Sequence, residues 1–222
     1  MRSAIVGGLF SILMMSSAAH ALPTNIALGA PVTSNSENNA YSYTFSGSAV
    51  TDGQTGDTSP GGIFSFWISQ DNVTSAFVTI DLGATYNITG LTVEDTHNGN
   101  FFDRGTNAFA VGFGSTALTA QASASGSPVT TGAFTVAQWQ NLTDVSVTAL
   151  GTGRFVTFLA TSAYGNNAGD NTGNGSAHPF SVGLNEIQVF GTLANASVPE
   201  PISMALLGSG LLGLIALRRR SV

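Results

Sequence analysis

The chain has 222 residues, no cysteine, 27 glycines and a formal charge of −6, with only 8% of its residues charged. These figures allow one medium domain with a real core and exclude a disulfide scaffold, a cysteine-ligated structural metal and a thiol nucleophile. All six basic residues are arginine, which excludes a Walker phosphate loop, a Schiff-base lysine and a Ser-Lys dyad, each of which needs an ammonium group. Between residues 22 and 198 only Arg104 and Arg154 stand against eleven carboxylates, a net −9. Such a surface repels phosphate backbones and argues against a nucleic-acid partner.

The chain opens with Arg2, an apolar run from Ala4 to Met15, and small residues ending Ala19-His20-Ala21 before Leu22-Pro23. This is the pattern of a secretory signal peptide cleaved after Ala21, so residues 1–21 are an N-terminal signal helix and not part of the fold. From 22 to 193 period two dominates. Ala76, Val78, Ile80 and Leu82 alternate with Phe77, Thr79 and Asp81; Leu91 and Val93 alternate with Thr92 and Glu94; Phe109, Val111 and Phe113 alternate with Ala110 and Gly112. These read as half-buried strands. Arg154 to Ala160 is apolar on both faces, as a central strand would be, and alternation returns at Glu186 to Phe190. Turn signals such as Asp52-Gly53, Leu82-Gly83 and Asn98-Gly99 separate them. Residues 114–132, rich in Ala, Ser, Thr and Gly, and residues 161–181, with four asparagines, read as long loops, the second functional or mobile. No window keeps helical spacing, so the prediction is an all-β domain, an antiparallel β-sandwich or jelly roll.

Residues 194–198 read as a linker. Beyond them Val198-Pro199-Glu200-Pro201 leads into an apolar stretch, Ile202 to Leu217, and then Arg218, Arg219 and Arg220. The stretch is just long enough to cross a bilayer as a C-terminal transmembrane helix with its arginines on the cytoplasmic side. Pro-Glu-Pro, a glycine-interrupted apolar helix and an arginine cluster, in that order over residues 199–222, resemble the PEP-CTERM sorting signal of Gram-negative bacteria. That resemblance implies transient anchoring in the inner membrane and exosortase processing near Pro199, Glu200 and Pro201. It also implies a mature protein at the cell surface or in an extracellular polysaccharide matrix.

Five segments of the middle region also fall in a known order. Asn25 to Ser34, Ala49 to Gly53, Val78 to Gly83, Arg154 to Phe158 and Gly183 to Gly191 resemble the strands and first turn of the galactose-binding-like, discoidin-type β-sandwich. The family's Asp-Gly-x-x-Trp stretch is missing, with Gly114 to Gly132 in its place. The resemblance implies a structural calcium ion, held by the carboxylates of Asp52 and Glu186, the carbonyls of Ala49, Gln54 and Asn185, and an oxygen of Thr55 or Thr58. Calcium takes six to eight oxygens in flexible geometry, which loops supply. Read without the resemblance, Asp52-Gly53 is a tight turn and Glu186 a solvated edge residue.

The stretch from Glu94 to Arg104 mixes planar polar groups with aromatic rings, as sugar sites do. His97 and Arg104 fall where sugar-binding relatives carry basic residues, and Asn98, Phe101 and Phe102 offer hydrogen bonds and stacking. Alternatively, Arg104 pairs with Asp103 or Asp95 and braces the loop. No nucleophile elbow, zinc motif or phosphate loop occurs, and Glu94 and Asp95, adjacent at a strand end, point to opposite faces and do not form a glycosidase pair. The expected function is therefore non-enzymatic binding of extracellular polysaccharide or another glycan in an exopolysaccharide or biofilm setting. The alternative is a structural or adhesion protein of the matrix without a discrete ligand, and a glycoside-active enzyme is third.

Overall fold

The alternation at Ala76 to Leu82 and at Leu91 to Glu94 belongs to a single long strand. In the computed structural model, which describes residues 24–39, 43–58, 64–99, 103–164 and 180–195, that strand is β3 (Ala76–Glu94). The signal segment with Ala21, the Pro199-Glu200-Pro201 motif, the 202–217 stretch, Phe101, Phe102 and most of 161–181 lie outside the described residues.

The other strands are β1 (Val32–Ser34), β2 (Trp67–Ile68), β4 (Thr106–Gly114), β5 (Thr130–Ala133), β6 (Val145–Val147), β7 (Gly151–Ala163), β8 (Gly183–Leu184) and β9 (Glu186–Leu193). All pair antiparallel. The main sheet runs β1-β3-β7-β4-β5, with β6 and β9 added along β3, and β2 and β8 form a separate ribbon. As its two-sided apolar pattern predicts, β7 is central, flanked by β3 and β4. β3 is shared between two wings. Its first half pairs with β1 and β7, its second half with β9 and β6, and the register with β7 shifts between Asp81 and Tyr86. Gly83 sits in that shift at φ +77, where a side chain would be strained, and its N–H donates to Asp81 Oδ1 at 2.9 Å.

Both wings bury their apolar alternates in one core. Val78 and Ile80, Leu91 and Val93, Val111, Phe158, Ile187 and Val189 belong to the same cluster. On the opposite face of β3, Thr79 and Thr157 are joined across β3 and β7 by one hydroxyl–hydroxyl hydrogen bond at 3.0 Å, and Thr79 Oγ1 also accepts from Gln121 Nε2 at 3.2 Å.

Two helices correct the reading of 114–132 as a loop and of the chain as helix-free. α1 (Ala117–Gly126) starts at a capping box, Thr116 with Thr119. It buries only Ala120 and Ala124, one turn apart. So small a face has almost no amphipathic signature, which is why periodicity misses it. It works because β4 opposes it with glycine: a Cβ at Gly112 would lie 2.2 Å from the Ala124 nitrogen. Gly112→Ala should lower stability by about 1–3 kcal/mol in denaturant unfolding, as expected of an overpacked contact. Stability equal to wild type would show that α1 is free to move away.

α2 (Val136–Asn141) is capped by Thr135 with Gln138 and ends at Leu142 in the left-handed region. Its role is to bury Trp139, which stacks on Tyr164 at 5.0 Å between centroids.

β9 leaves Glu186, beside Glu94, and ends at Leu193 beside Tyr86, where the Ala194 N–H donates to Thr85 O. Eight residues of strand, about 25 Å, therefore separate the loops around Glu186 from the point at which the chain departs toward its C-terminal segment.

Candidate functional site

The loops that leave β3 and enter β4 and β9 meet the 52–58 loop. Their meeting point is organised by Asp57, a residue that the sequence reading does not single out. Asp57 Oδ2 accepts the His97 N–H at 3.0 Å and the Gly99 N–H at 2.9 Å, and His97 Nδ1 lies 3.2 Å from the same oxygen. Asp57 Oδ1 accepts from Asn185 Nδ2 at 2.9 Å. One carboxylate thus joins three loops. Asn98, at φ +64, donates through Nδ2 to Asp103 Oδ1 at 2.8 Å and through its backbone to Thr96 Oγ1.

The 95–105 loop is closed at both ends by a second unforeseen residue. Trp139 Nε1 donates to Thr96 O at 3.0 Å and to Arg104 O at 2.9 Å. Gly105, at φ +146, makes room for the indole, since a Cβ there would lie 2.4 Å from Nε1. Inside the loop, Asp95 is fully buried. Its Oδ1 accepts the N–H groups of Thr96 and Thr106, and Oδ2 has no hydrogen-bond partner among the described residues. Burial pushes its carboxyl well above the usual carboxylate range.

The three described residues predicted to bind ligand face inward. His97, Asn98 and Arg104 are all buried. Arg104 does brace the structure, though through a different partner from those the sequence offers: its Nη2 donates to Asp71 Oδ1 at 3.1 Å, and Asn38 Nδ2 donates to the same oxygen at 2.8 Å. Phe101 and Phe102 lie outside the described residues.

The residues proposed to hold calcium gather around a second group of carboxylates. Glu186 is not a solvated edge residue but almost completely buried, and its Cα is directly opposite that of Glu94, which is also buried. Like charges in cross-strand register repel. Glu186 Oε2 accepts the Gly53 N–H at 3.3 Å, Oε1 has no hydrogen-bond partner among the described residues, and Glu94 Oε1 accepts the Gly56 N–H at 2.6 Å. Burial first, and then the neighbouring Asp52, Glu94 and Asp144, push Glu186 up to about 8 against the Gly53 hydrogen bond. Burial likewise pushes Glu94 up to about 7, with Asp144 and Asp57 adding to it and the Gly56 hydrogen bond opposing it. Asp52 is raised by burial and accepts from Gln54 N at 2.8 Å and Gln54 Nε2 at 3.3 Å.

The remaining oxygen donors are placed as follows. Ala49 is buried and its carbonyl accepts the Asp52 N–H at 3.2 Å. Thr55 is exposed in the same loop. Thr58 Oγ1 donates to Gln54 Oε1 at 3.3 Å and to Ser65 Oγ at 3.0 Å, and Asn185 Oδ1 is buried with no partner among the described residues. Among the described residues no group of three His, Asp or Glu side chains converges at metal-ligand spacing. The chemistry nonetheless fits a hard cation. Buried carboxylates face one another, Glu186 Oε1 lacks a donor among the described residues, the two described arginines are paired with Asp71 and Asp81, and the chain has no lysine.

Residues 197–220 match the PEP-CTERM protein-sorting motif, beginning two residues before the boundary read from sequence. The chain carries that motif and is an exported protein sorted to the cell envelope. None of the curated proteins matches the chain. The fold is similar to a mutant of the lectin binding domain of lectinolysin complexed with Lewis b, at TM-score 0.51 and 17% identity over 76% of this chain and 96% of that one. It is also similar to CBM32-3 from a family 31 glycoside hydrolase of Clostridium perfringens, at TM-score 0.51 and 14% identity over 77% and 95%. A fucolectin from the serum of Morone saxatilis, the striped bass, is similar at TM-score 0.50 and 18% identity over 77% and 50%. The fold is thus mostly antiparallel β, and its structural neighbours are galactose-binding-like, discoidin-type modules. No helix among the described residues is long and apolar enough to cross a membrane.

Proposed function

We propose that this exported protein binds extracellular carbohydrate through the loop end of its β-domain. The observation that carries the reading is polarity within one domain. The loops braced by Asp57 and Trp139 lie at one end of the β3 and β9 pair, and the chain departs toward its sorting motif from the other. A domain tethered at its C-terminal end presents those loops outward. The fold shared with a lectin domain and a carbohydrate-binding module supports a glycan as the partner.

Exosortase processing near Pro199, Glu200 and Pro201 and signal cleavage after Ala21 then place the mature protein on the surface or in the exopolysaccharide matrix of a Gram-negative cell. Calcium is proposed as a structural ion that neutralises Asp52 and Glu186 and ties the first loop to the last strand. The role is binding, not catalysis. Glu94, Asp95 and Asp103 each accept internal hydrogen bonds, from Gly56, from Thr96 and Thr106, and from Asn98.

A second reading, a matrix spacer without a ligand, draws on the inward placement of His97, Asn98 and Arg104. Retention of the mature protein on purified exopolysaccharide of the producing cell, without release of reducing ends, is the expected result. Release of reducing ends would contradict the non-catalytic role. Mass spectrometry of the same fraction should find neither Met1 nor Val222.

A further inference from the structure

A small aromatic cluster stands apart from the main core. Phe45 and Phe66 are buried, Phe64 is half-buried, and Phe45 stacks on Phe64 at 4.6 Å between centroids. Tyr43 meets Phe64 edge to face at 5.2 Å and is 51% exposed. Packing accounts for Phe45 and Phe66, but it does not account for an aromatic ring standing in solvent above them. A lone exposed ring is ordinary; its neighbourhood makes this one informative.

Asn38 bridges to Phe45, with the Phe45 N–H donating to Asn38 O at 3.2 Å, and this rung sets the cluster beside an open cavity of about 260 Å³. The cavity is lined by Glu37, Asn38, Asn39, Gln70 and Asp71. Its two carboxylates are already engaged. Glu37 Oε1 accepts from Ser34 Oγ and the Gly47 N–H, both at 2.7 Å, and Asp71 Oδ1 accepts from Asn38 and Arg104. The side-chain amides of Asn39 and Gln70 are exposed and make no hydrogen bond among the described residues. The walls are therefore held from behind, and two planar amides, each donor and acceptor, face outward next to an aromatic surface.

We propose that this is the sugar-contacting surface. A neutral hexose or deoxyhexose unit lays its C–H face on the exposed Tyr43 ring, which Phe64 holds edge to face from behind, and exchanges hydrogen bonds with the amides of Asn39 and Gln70. Arg104 serves it only as a positioning residue, through Asp71. The carboxylates of Glu37 and Asp71 repel an acidic sugar, and since Glu37 Oε1 and Asp71 Oδ1 already accept hydrogen bonds within the fold, the ligand's hydrogen bonds fall to the uncharged amides, which suit a neutral sugar. The proposal rests on the carbohydrate-binding reading and adds to it the face and the sugar class.

The test uses the mature protein on a panel of immobilised neutral hexose and deoxyhexose oligosaccharides. Tyr43→Ala should weaken retention about three- to tenfold, the value of one aromatic contact, and Gln70→Ala should weaken it comparably. Tyr43→Phe should bind like wild type, and all three variants should melt with it, because neither side chain supports the core. Unchanged retention in both Tyr43→Ala and Gln70→Ala, on a sugar that the wild type binds, would overturn the proposed surface while leaving carbohydrate binding intact. Failure of the wild type to bind any sugar would overturn both. Preference for an immobilised proline-rich peptide, lost in Tyr43→Ala, would keep the surface and overturn its occupant.

Discussion

In chelator, the protein should lose stability as pH rises from about 5 to 8, and calcium should abolish that loss. Glu186 and Glu94 hold their protons in the fold up to about 8 and about 7, whereas an ordinary glutamate releases its proton near 4.5. Above pH 4.5 the unfolded chain ionises these groups freely while the folded chain resists, so the unfolded state gains ground until the folded carboxyls also ionise. With screening by solvent at the rim of the cluster, the loss is roughly 1–3 kcal/mol. A cation bound at Asp52 and Glu186 replaces those protons and adds about 2.7 kcal/mol at a hundredfold excess over its dissociation constant. Asp52→Ala and Glu186→Ala should each abolish the calcium-induced rise in melting temperature. Glu186→Gln, which cannot ionise, should flatten much of the pH slope in chelator. Equal melting of the wild type in calcium and chelator at pH 8 would remove the cation, and stability rising with pH in chelator would contradict the charge arrangement.

The largest single-residue effect is expected at Trp139. Trp139→Ala removes a buried indole from its stack on Tyr164 and both hydrogen bonds that close the 95–105 loop. Such truncations cost about 3–5 kcal/mol. Trp139→Phe separates the two contributions, since it keeps an aromatic ring but leaves the carbonyls of Thr96 and Arg104 without this donor. That variant should lose about 1–3 kcal/mol. Denaturant unfolding measures both, and amide exchange should show earlier opening at Thr106, whose N–H bonds to Asp95 beneath the loop. A Trp139→Phe variant as stable as wild type would mean that the carbonyls find other donors and that the indole nitrogen does not hold the loop.

Much of the sheet was legible because period two is a direct imprint of a half-buried strand. The runs Ala76 to Leu82, Phe109 to Phe113 and Glu186 to Phe190 fall in β3, β4 and β9, and the two-sided run at Arg154 to Ala160 lies within the central β7. α1 was illegible for the opposite reason. Its buried face is two alanines received by glycine, and neither residue type carries the apolar contrast that periodicity needs. At the loop end, the sequence singles out His97 and Arg104 as sugar-contacting residues, with pairing to Asp103 or Asp95 as the alternative for Arg104; in the fold both are buried and Arg104 is paired with Asp71. Their partners, Asp57 and Asp71, lie 40 and 33 positions away along the chain. Only the closed fold joins them. Trp139 was hidden likewise, in a six-residue helix too short to show a period. Glu186 was marked by family resemblance, but its burial opposite Glu94 follows from the pairing of β3 with β9, which no local signal encodes.

The most direct test of the central claim is an array of immobilised glycans probed with the secreted, processed protein in calcium. Saturable retention on one or more neutral glycans, competed by the same free sugar, is the predicted result. No retention on any glycan, from protein shown to be folded by its melting transition, would contradict it and leave the spacer role.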